Sequence, residues 1–286
     1  MDFILKNNPD YVRRKALGNN YADWLAPDQH TPSELIDTAY WALVARQMTE
    51  MATALHRPEE AAKYQAQYEH IAAAYRKAFV KADGSVEGDT QTGYLATIFT
   101  GIATDSERGA MVDRLTKNIH AHGDHLTTGF LGTPFLLTVL DENQKTDLAF
   151  KLLLSTTYPS WGYMVSKDAT TWWERWNGDT GDPSMNSYNH YAFGSVMAWV
   201  YRRAAGIDTD AGGAGFHHLT IAPHFDASLP ALHVEYDSAY GTVVSDWKQS
   251  EHRFTVTIPA NTTATVTLPG EKAERIGSGT HTFTVK

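Results

Sequence analysis

Near residue 210 the spacing of apolar residues changes from three-and-four to two, and one kind of secondary structure cannot satisfy both periods. Before that point the chain reads as helices. Residues 33–56, SELIDTAYWALVARQMTEMATALH, follow a Thr31-Pro32 start signal, and Pro58 opens a second helix, PEEAAKYQAQYEHIAAAYRKAFV. Asp83-Gly84 closes this pair as a turn. The pattern predicts further helices near 91–103 and 106–122, a pair within 128–156, and a last helix near 187–205. Helices joined by short connections suggest an antiparallel α/α arrangement of the toroid type. The Gly-rich stretch DTDAGGAG, 208–215, reads as a linker. Beyond it, alternating segments from HHLTIAP to THTFTVK are separated by Pro, Gly and Asn turns. They predict six short strands in a small antiparallel β-sandwich. The expectation is a mainly α protein with a β domain, divided into 1–207 and 216–286. The strands carry few groups suited to chemistry, so the sandwich reads as a structural cap.

Composition narrows the function classes. The formal net charge of −9 is unlike the basic footprint of a nucleic-acid binder. With no Cys there is no disulfide framework and no thiolate metal site. No apolar run is long enough to span a membrane. The start, MDFILKNNPDYVRRK, lacks the order of a signal peptide. That favours a cytoplasmic protein unless a leader precedes it. GGAG at 212–215 lacks the Lys-Ser/Thr of a phosphate loop, and no nucleophile elbow is present, so no cofactor is expected. His120, His122 and His125, and the pair His217-His218, match no common zinc spacing. They read as surface histidines, with no metal.

Candidate chemistry gathers between 158 and 195, YPSWGYMVSKDATTWWERWNGDTGDPSMNSYNHYAFGS. Some thirty residues without clear helix signals form a long loop, which in a compact domain is functional or disordered. Its aromatic density argues against disorder. Glu174 lies within TTWWERW, flanked by Trp173 and Trp176. A carboxylate among indole rings suits sugar cleavage: the rings stack on the sugar and exclude water, while the carboxylate activates a water or protonates the leaving oxygen. Most Glu residues are solvated surface groups, and a salt bridge to Arg175 is the alternative here. Some of the Trp residues are expected in the core. For His190 a hydrogen-bonded core role and a site role are equally compatible with composition.

TTWWERW followed by MNSYNHY resembles the motif of the bacterial α-L-rhamnosidase family with an (α/α)6 barrel. YADWLAP, 21–27, resembles the family's Gly-Asp-Trp-Leu loop with Ala22 in the Gly position. TPSELIDTAYWA, GDTQTGYLATI and TTGFLGTPFLL resemble its barrel, and VEYDSAYGTVVSDWK and IPANTTATVTLP its C-terminal sandwich. The resemblance implies inverting hydrolysis of terminal α-L-rhamnose from glycosides, with Glu174 as the general base. It implies that Trp24 lines the sugar pocket, Asp23 belongs to the same loop and His190 contacts the sugar. Trp173 and Trp176 join the substrate-binding set as motif neighbours. The family's general acid sits in a motif of the form Asp-Glu-Arg-x-Gly-Trp-Thr-Gly-Asp well before the Asp-Trp-Leu loop, and no such motif occurs in this chain.

The helices also fall short of a full ring, so the expected fold is an incomplete (α/α)6 helical barrel followed by a small antiparallel β-sandwich. The expected partners are a rhamnose-containing glycoside and the remaining N-terminal part of the enzyme, and the chain alone is expected to be inactive. The readings left open are a non-catalytic carbohydrate-binding remnant and another (α/α)6 glycosidase or a lyase acting on a different sugar.

Overall fold

A computed structural model describes the chain except residues 16, 17, 183, 185, 186, 211–213 and 286. It forms two compact units. One comprises 1–144 with 155–193, and the other 145–154 with 194–286.

The first unit is built from helices α1 (Asp2–Asn7), α2 (Ser33–Ala54), α3 (Pro58–Phe79), α4 (Gln91–Phe99), α5 (Asp105–Ala121) and α6 (Thr133–Glu142). α2 and α3 pack as a hairpin, and α4 packs on α2, α5 and α6. α2 buries Leu35, Ile36, Ala39, Trp41, Ala42 and Ala45 on one face, while α3 buries Ile71, Ala72, Tyr75 and Phe79. α4 is buried on nearly every side, as a helix enclosed by others must be. It ends at Phe99 rather than near 103 because Gly101 takes a left-handed φ of 79°. α5 begins in a capping box, with the Thr104 N–H donating to the Glu107 carboxylate at 2.9 Å.

The stretch expected as one long loop contains a short helix, α8 (Trp161–Ser166), after α7 (Thr146–Leu154) of the second unit. The Ser160 hydroxyl caps α8 by accepting from the Tyr163 N–H at 3.0 Å. The last helix starts at Tyr191, not 187, as α9 (Tyr191–Gly194), followed by α10 (Val196–Trp199) and a π turn at Val200–Ala204. The reason is local. The carbonyl of Ser187 and the N–H of His190 are committed to Glu174 and Trp172, so they cannot enter a helical ladder.

The second unit holds eight strands among the described residues, not six: β1 (Ile207–Thr209), β2 (His218–Ile221), β3 (Ala231–Ser238), β4 (Gly241–Lys248), β5 (Arg253–Ile258), β6 (Thr263–Val266), β7 (Glu274–Ile276) and β8 (Gly279–Thr284). They form two four-stranded sheets, ordered β1-β2-β6-β7 and β3-β4-β5-β8. The pairing is antiparallel except for β2 and β6, which run parallel with His218 opposite Thr263. The second sheet is a plain meander through β3, β4 and β5. Leu219, Ile221, Ala264 and Val266 from one sheet and Val243, Trp247, Phe254 and Val256 from the other share one buried cluster, which makes the pair a sandwich. Part of the expected linker is strand: Asp208 and Thr209 pair with Thr220 and Leu219. Its residues 211–213 lie outside the described residues.

Candidate active site

The site begins at Asp23. Its side chain is 7% exposed, and its carboxylate accepts from the Gly129 N–H at 2.7 Å, the Leu131 N–H at 2.7 Å, the Gly132 N–H at 3.0 Å and the Thr92 hydroxyl. Burial pushes the Asp23 carboxyl up from the usual carboxylate range, and the four donors pull against that shift. These bonds clamp the 129–132 turn. Beside it, the Trp24 carbonyl accepts from the Phe130 N–H at 3.0 Å. The approach leaves no room for a larger residue at 129, where a Cβ would lie 2.3 Å from the Trp24 carbonyl oxygen. Ala22 adopts a left-handed φ of 48°, which explains why glycine suits this position of the loop.

Phe130 carries the clamp to His190, with ring centroids 4.7 Å apart. The His190 ring also stacks on Tyr191 at 5.0 Å, and its Nδ1 accepts from the Ala192 N–H at 3.2 Å. With Nδ1 as acceptor, the neutral ring carries its proton on Nε2, leaving that nitrogen as a donor.

Two main-chain bonds close the segment bearing the carboxylate. The Glu174 N–H donates to the Ser187 carbonyl at 2.8 Å, and the His190 N–H donates to the Trp172 carbonyl at 2.8 Å. The Ser187 N–H donates back to Glu174 Oε2 at 2.9 Å, which orients the carboxylate. Glu174 and His190 are therefore brought together on paired chain segments. Met185 and Asn186 of the second motif lie outside the described residues.

The tryptophans divide by exposure. Trp24 is half-buried and meets Tyr21 edge-on at 5.3 Å. Trp176 is buried, stacks on Phe193 at 3.9 Å, meets Trp161 edge-on and donates from Nε1 to the Thr128 carbonyl at 3.3 Å. Trp173 is buried against Tyr188. Sequence reasoning did not single out Phe130, Thr92 or Ser187. The signal for Phe130 was two glycines flanking Phe-Leu ahead of Pro134, the mark of a turn into a helix. Thr92 and Ser187 carry no such signal.

Histidines considered as metal ligands have local partners: His122 bonds the Asn118 carbonyl, His125 the Gly123 carbonyl and Thr157, and His218 the hydroxyls of Thr263 and Thr265. Among the described residues no three His, Asp or Glu side chains gather as a metal site, and no helix is long and apolar enough to cross a membrane.

The clamped turn carries Phe130 between the Trp24 loop and His190, and Glu174 stands on the segment paired with that of His190. Known families supply the context for this arrangement. Residues 1–204 match the bacterial alpha-L-rhamnosidase 6 hairpin glycosidase domain, and residues 206–283 match the bacterial alpha-L-rhamnosidase C-terminal domain. The chain belongs to this family. It is 39% identical to an alpha-L-rhamnosidase of Streptomyces avermitilis, over 98% of this chain and 29% of that protein. One of Formosa agariphila is 37% identical over 93% of this chain and 30% of its own length. Among solved structures, the Streptomyces avermitilis alpha-L-rhamnosidase complexed with L-rhamnose superposes with a TM-score of 0.90 at 38% identity, covering 100% of this chain and 30% of that one. The alpha-L-rhamnosidase of Aspergillus terreus gives 0.86 at 28% identity, covering 93% and 33%. The chain thus spans about three tenths of the length of these relatives.

Proposed function

We propose that these residues form the water-activating wall of an inverting α-L-rhamnosidase. Glu174 is the general base, His190 donates from Nε2 to a ring hydroxyl, and Trp24 gives the sugar an apolar face. The observation that carries this reading is the double main-chain pairing of 172–174 with 187–190, which holds the segments of Glu174 and His190 against each other. In the reaction Glu174 takes a proton from water as the water oxygen bonds to the anomeric carbon. The glycosidic C–O bond breaks on the opposite face, and its oxygen takes a proton from a general acid. Inverting enzymes keep the two carboxyl groups about 6.5–9.5 Å apart to admit that water.

Asp23 does not suit the acid role, because its carboxylate is engaged by four donors. Asp23 and Trp176 serve the substrate by holding the 128–132 segment, and Trp173 by supporting the Glu174 strand. The acid would come from residues outside this chain, since none of its segments carries the Asp-Glu-Arg motif. The chemistry is assigned to 1–207, with 216–286 as a structural cap.

The test is hydrolysis of p-nitrophenyl α-L-rhamnoside, with the anomer of the first product read by NMR. The 286-residue chain alone is expected to be silent. Joined to an acid-bearing segment it is expected to release β-L-rhamnose first. Glu174→Gln then lowers kcat by about 10²–10⁴-fold or more without moving the melting temperature, because the amide oxygen still accepts from Ser187. Turnover by the chain alone would overturn the assignment of the acid. Preference for another glycoside would favour a different sugar.

A further inference from the structure

Three long helices of the first unit have an exposed face, and the faces differ in chemistry. α3 exposes Glu59, Glu60, Lys63, Glu69 and Lys77, with small alanines such as Ala66 between them. α5 exposes Asp105, Asp113, Lys117 and His120. These are the solvated faces expected of helices with one apolar side. α2 instead exposes Val44 by 42% and Met51 by 51%, and Leu55, in the cap position after its last turn, by 64%. Met48 is half-buried between them. Steps of four, three and four residues set these four side chains in a single stripe along the helix.

The stripe is not the face that the hairpin uses. α2 packs on α3 and α4, and its buried positions, such as Leu35, Ile36 and Trp41, lie off the stripe. A helix that is apolar on a further side is suited to enclosure by other helices, as α4 is in the same unit. A contiguous exposed apolar surface of this kind marks an interaction site.

We propose that the α2 stripe of Val44, Met48, Met51 and Leu55 is the docking face for a helical hairpin from the part of the enzyme that this chain does not contain. Two observations select this occupant. Residues 1–204 match a glycosidase domain of six hairpins, and the chain spans about three tenths of the length of its relatives, so most of a related enzyme lies outside it. The border of the stripe is also neutral. Arg46 and Glu50 pair with each other at 3.7 Å, and Gln47 is uncharged, so the face selects by apolar shape rather than by charge. Unbranched Met48 and Met51 adapt to the grooves of a facing helix. The proposal goes beyond the proposed function: it rests on family membership and does not depend on the role of Glu174.

The chain contains no Cys, so one introduced thiol reports on one position. Met51→Cys, with Ala66→Cys on α3 as the control, is labelled with a maleimide in two forms. One is the 286-residue chain alone. The other is the chain joined to the part of the Streptomyces avermitilis alpha-L-rhamnosidase that it does not match, with the joined protein lacking an introduced Cys as background. Joining should slow labelling at Met51→Cys about a hundredfold or more and leave Ala66→Cys unchanged. In a second measurement the unmatched part is co-expressed as a separate chain and recovered through a tag on the 286-residue chain. Met51→Lys combined with Leu55→Lys should cut that recovery about tenfold or more, with little change in the melting temperature of the chain alone, because both positions are exposed. Equal labelling of Met51→Cys in both forms, equal recovery by the variant, or no recovery by the unsubstituted chain would overturn the docking face. Protection of Met51→Cys in the chain alone, rising with its concentration, would overturn it in favour of a second copy. Protection in a joined protein that hydrolyses no rhamnoside would support the docking face and count against the proposed function.

Discussion

The two units handle buried polar groups in opposite ways. Among the described residues, the second unit buries the polar side chains of Ser245 and Thr262, each bonded to a main-chain carbonyl. The first unit buries a connected series that includes Asp23, Thr90, Gln91, Thr92, Thr127, Thr128 and Thr133. These side chains bind one another and the turn at 127–132. A sandwich can rely on apolar area, which is non-directional. A site needs fixed directions, and hydrogen bonds in a dry interior supply them when every member is paired. The concentration of paired polar groups under the Trp24–Phe130 turn therefore marks where geometry matters most.

That contrast can be broken by removing one acceptor from each unit. Asp23→Ala leaves three buried main-chain N–H groups and the Thr92 hydroxyl without their acceptor. It should lower stability by about 3–5 kcal/mol, an expectation checked by urea denaturation followed through Trp fluorescence. Ser245→Ala removes a single bond, to the Ala205 carbonyl at 2.7 Å, and should cost only about 1 kcal/mol in the same assay. Equal losses would mean that the buried polar series has no special role.

The smallest effect belongs to the exposed face of the second sheet. There the His233 ring lies between the carboxylates of Asp246, 2.9 Å from Nδ1, and Glu235, 3.2 Å from Nε2. Hydrogen bonds to Asp246 first, then Glu235, raise its pKa above the usual 6.5. A raised imidazole stabilises the fold fully below its unfolded value, and this contribution fades as pH rises through the raised value. NMR titration of the ring should show the upward shift, and Asp246→Asn should reduce it with little change in melting, since the pair is solvated.

Much of the architecture was legible as pattern. α2 and α3 appear within two residues of the expected ends, because Pro32 and Pro58 are start signals that depend on backbone sterics alone. The alternation in 231–258 likewise gave the strands β3, β4 and β5. Elements too short to show a period, α1, α8, β1 and β7, were not legible. The parallel β2–β6 pair was hidden for another reason: alternation assigns faces, and partner and direction depend on how distant segments close. In the candidate site, the resemblance pointed to Glu174, His190 and Trp24 by type. It could not separate a half-buried ring, such as Trp24, from a ring in the core, such as Trp176.

Residue order alone therefore sufficed for the change of period near 210, the helix starts at prolines and the carboxylate among tryptophans, since each depends on neighbours a few positions apart. Only tertiary structure decided that Asp23 is occupied as a clamp, that Phe130 joins it to His190, and that Ser187 orients Glu174. Asp23 reaches residues more than a hundred positions away, and a contact at that separation exists only once the chain has closed on itself.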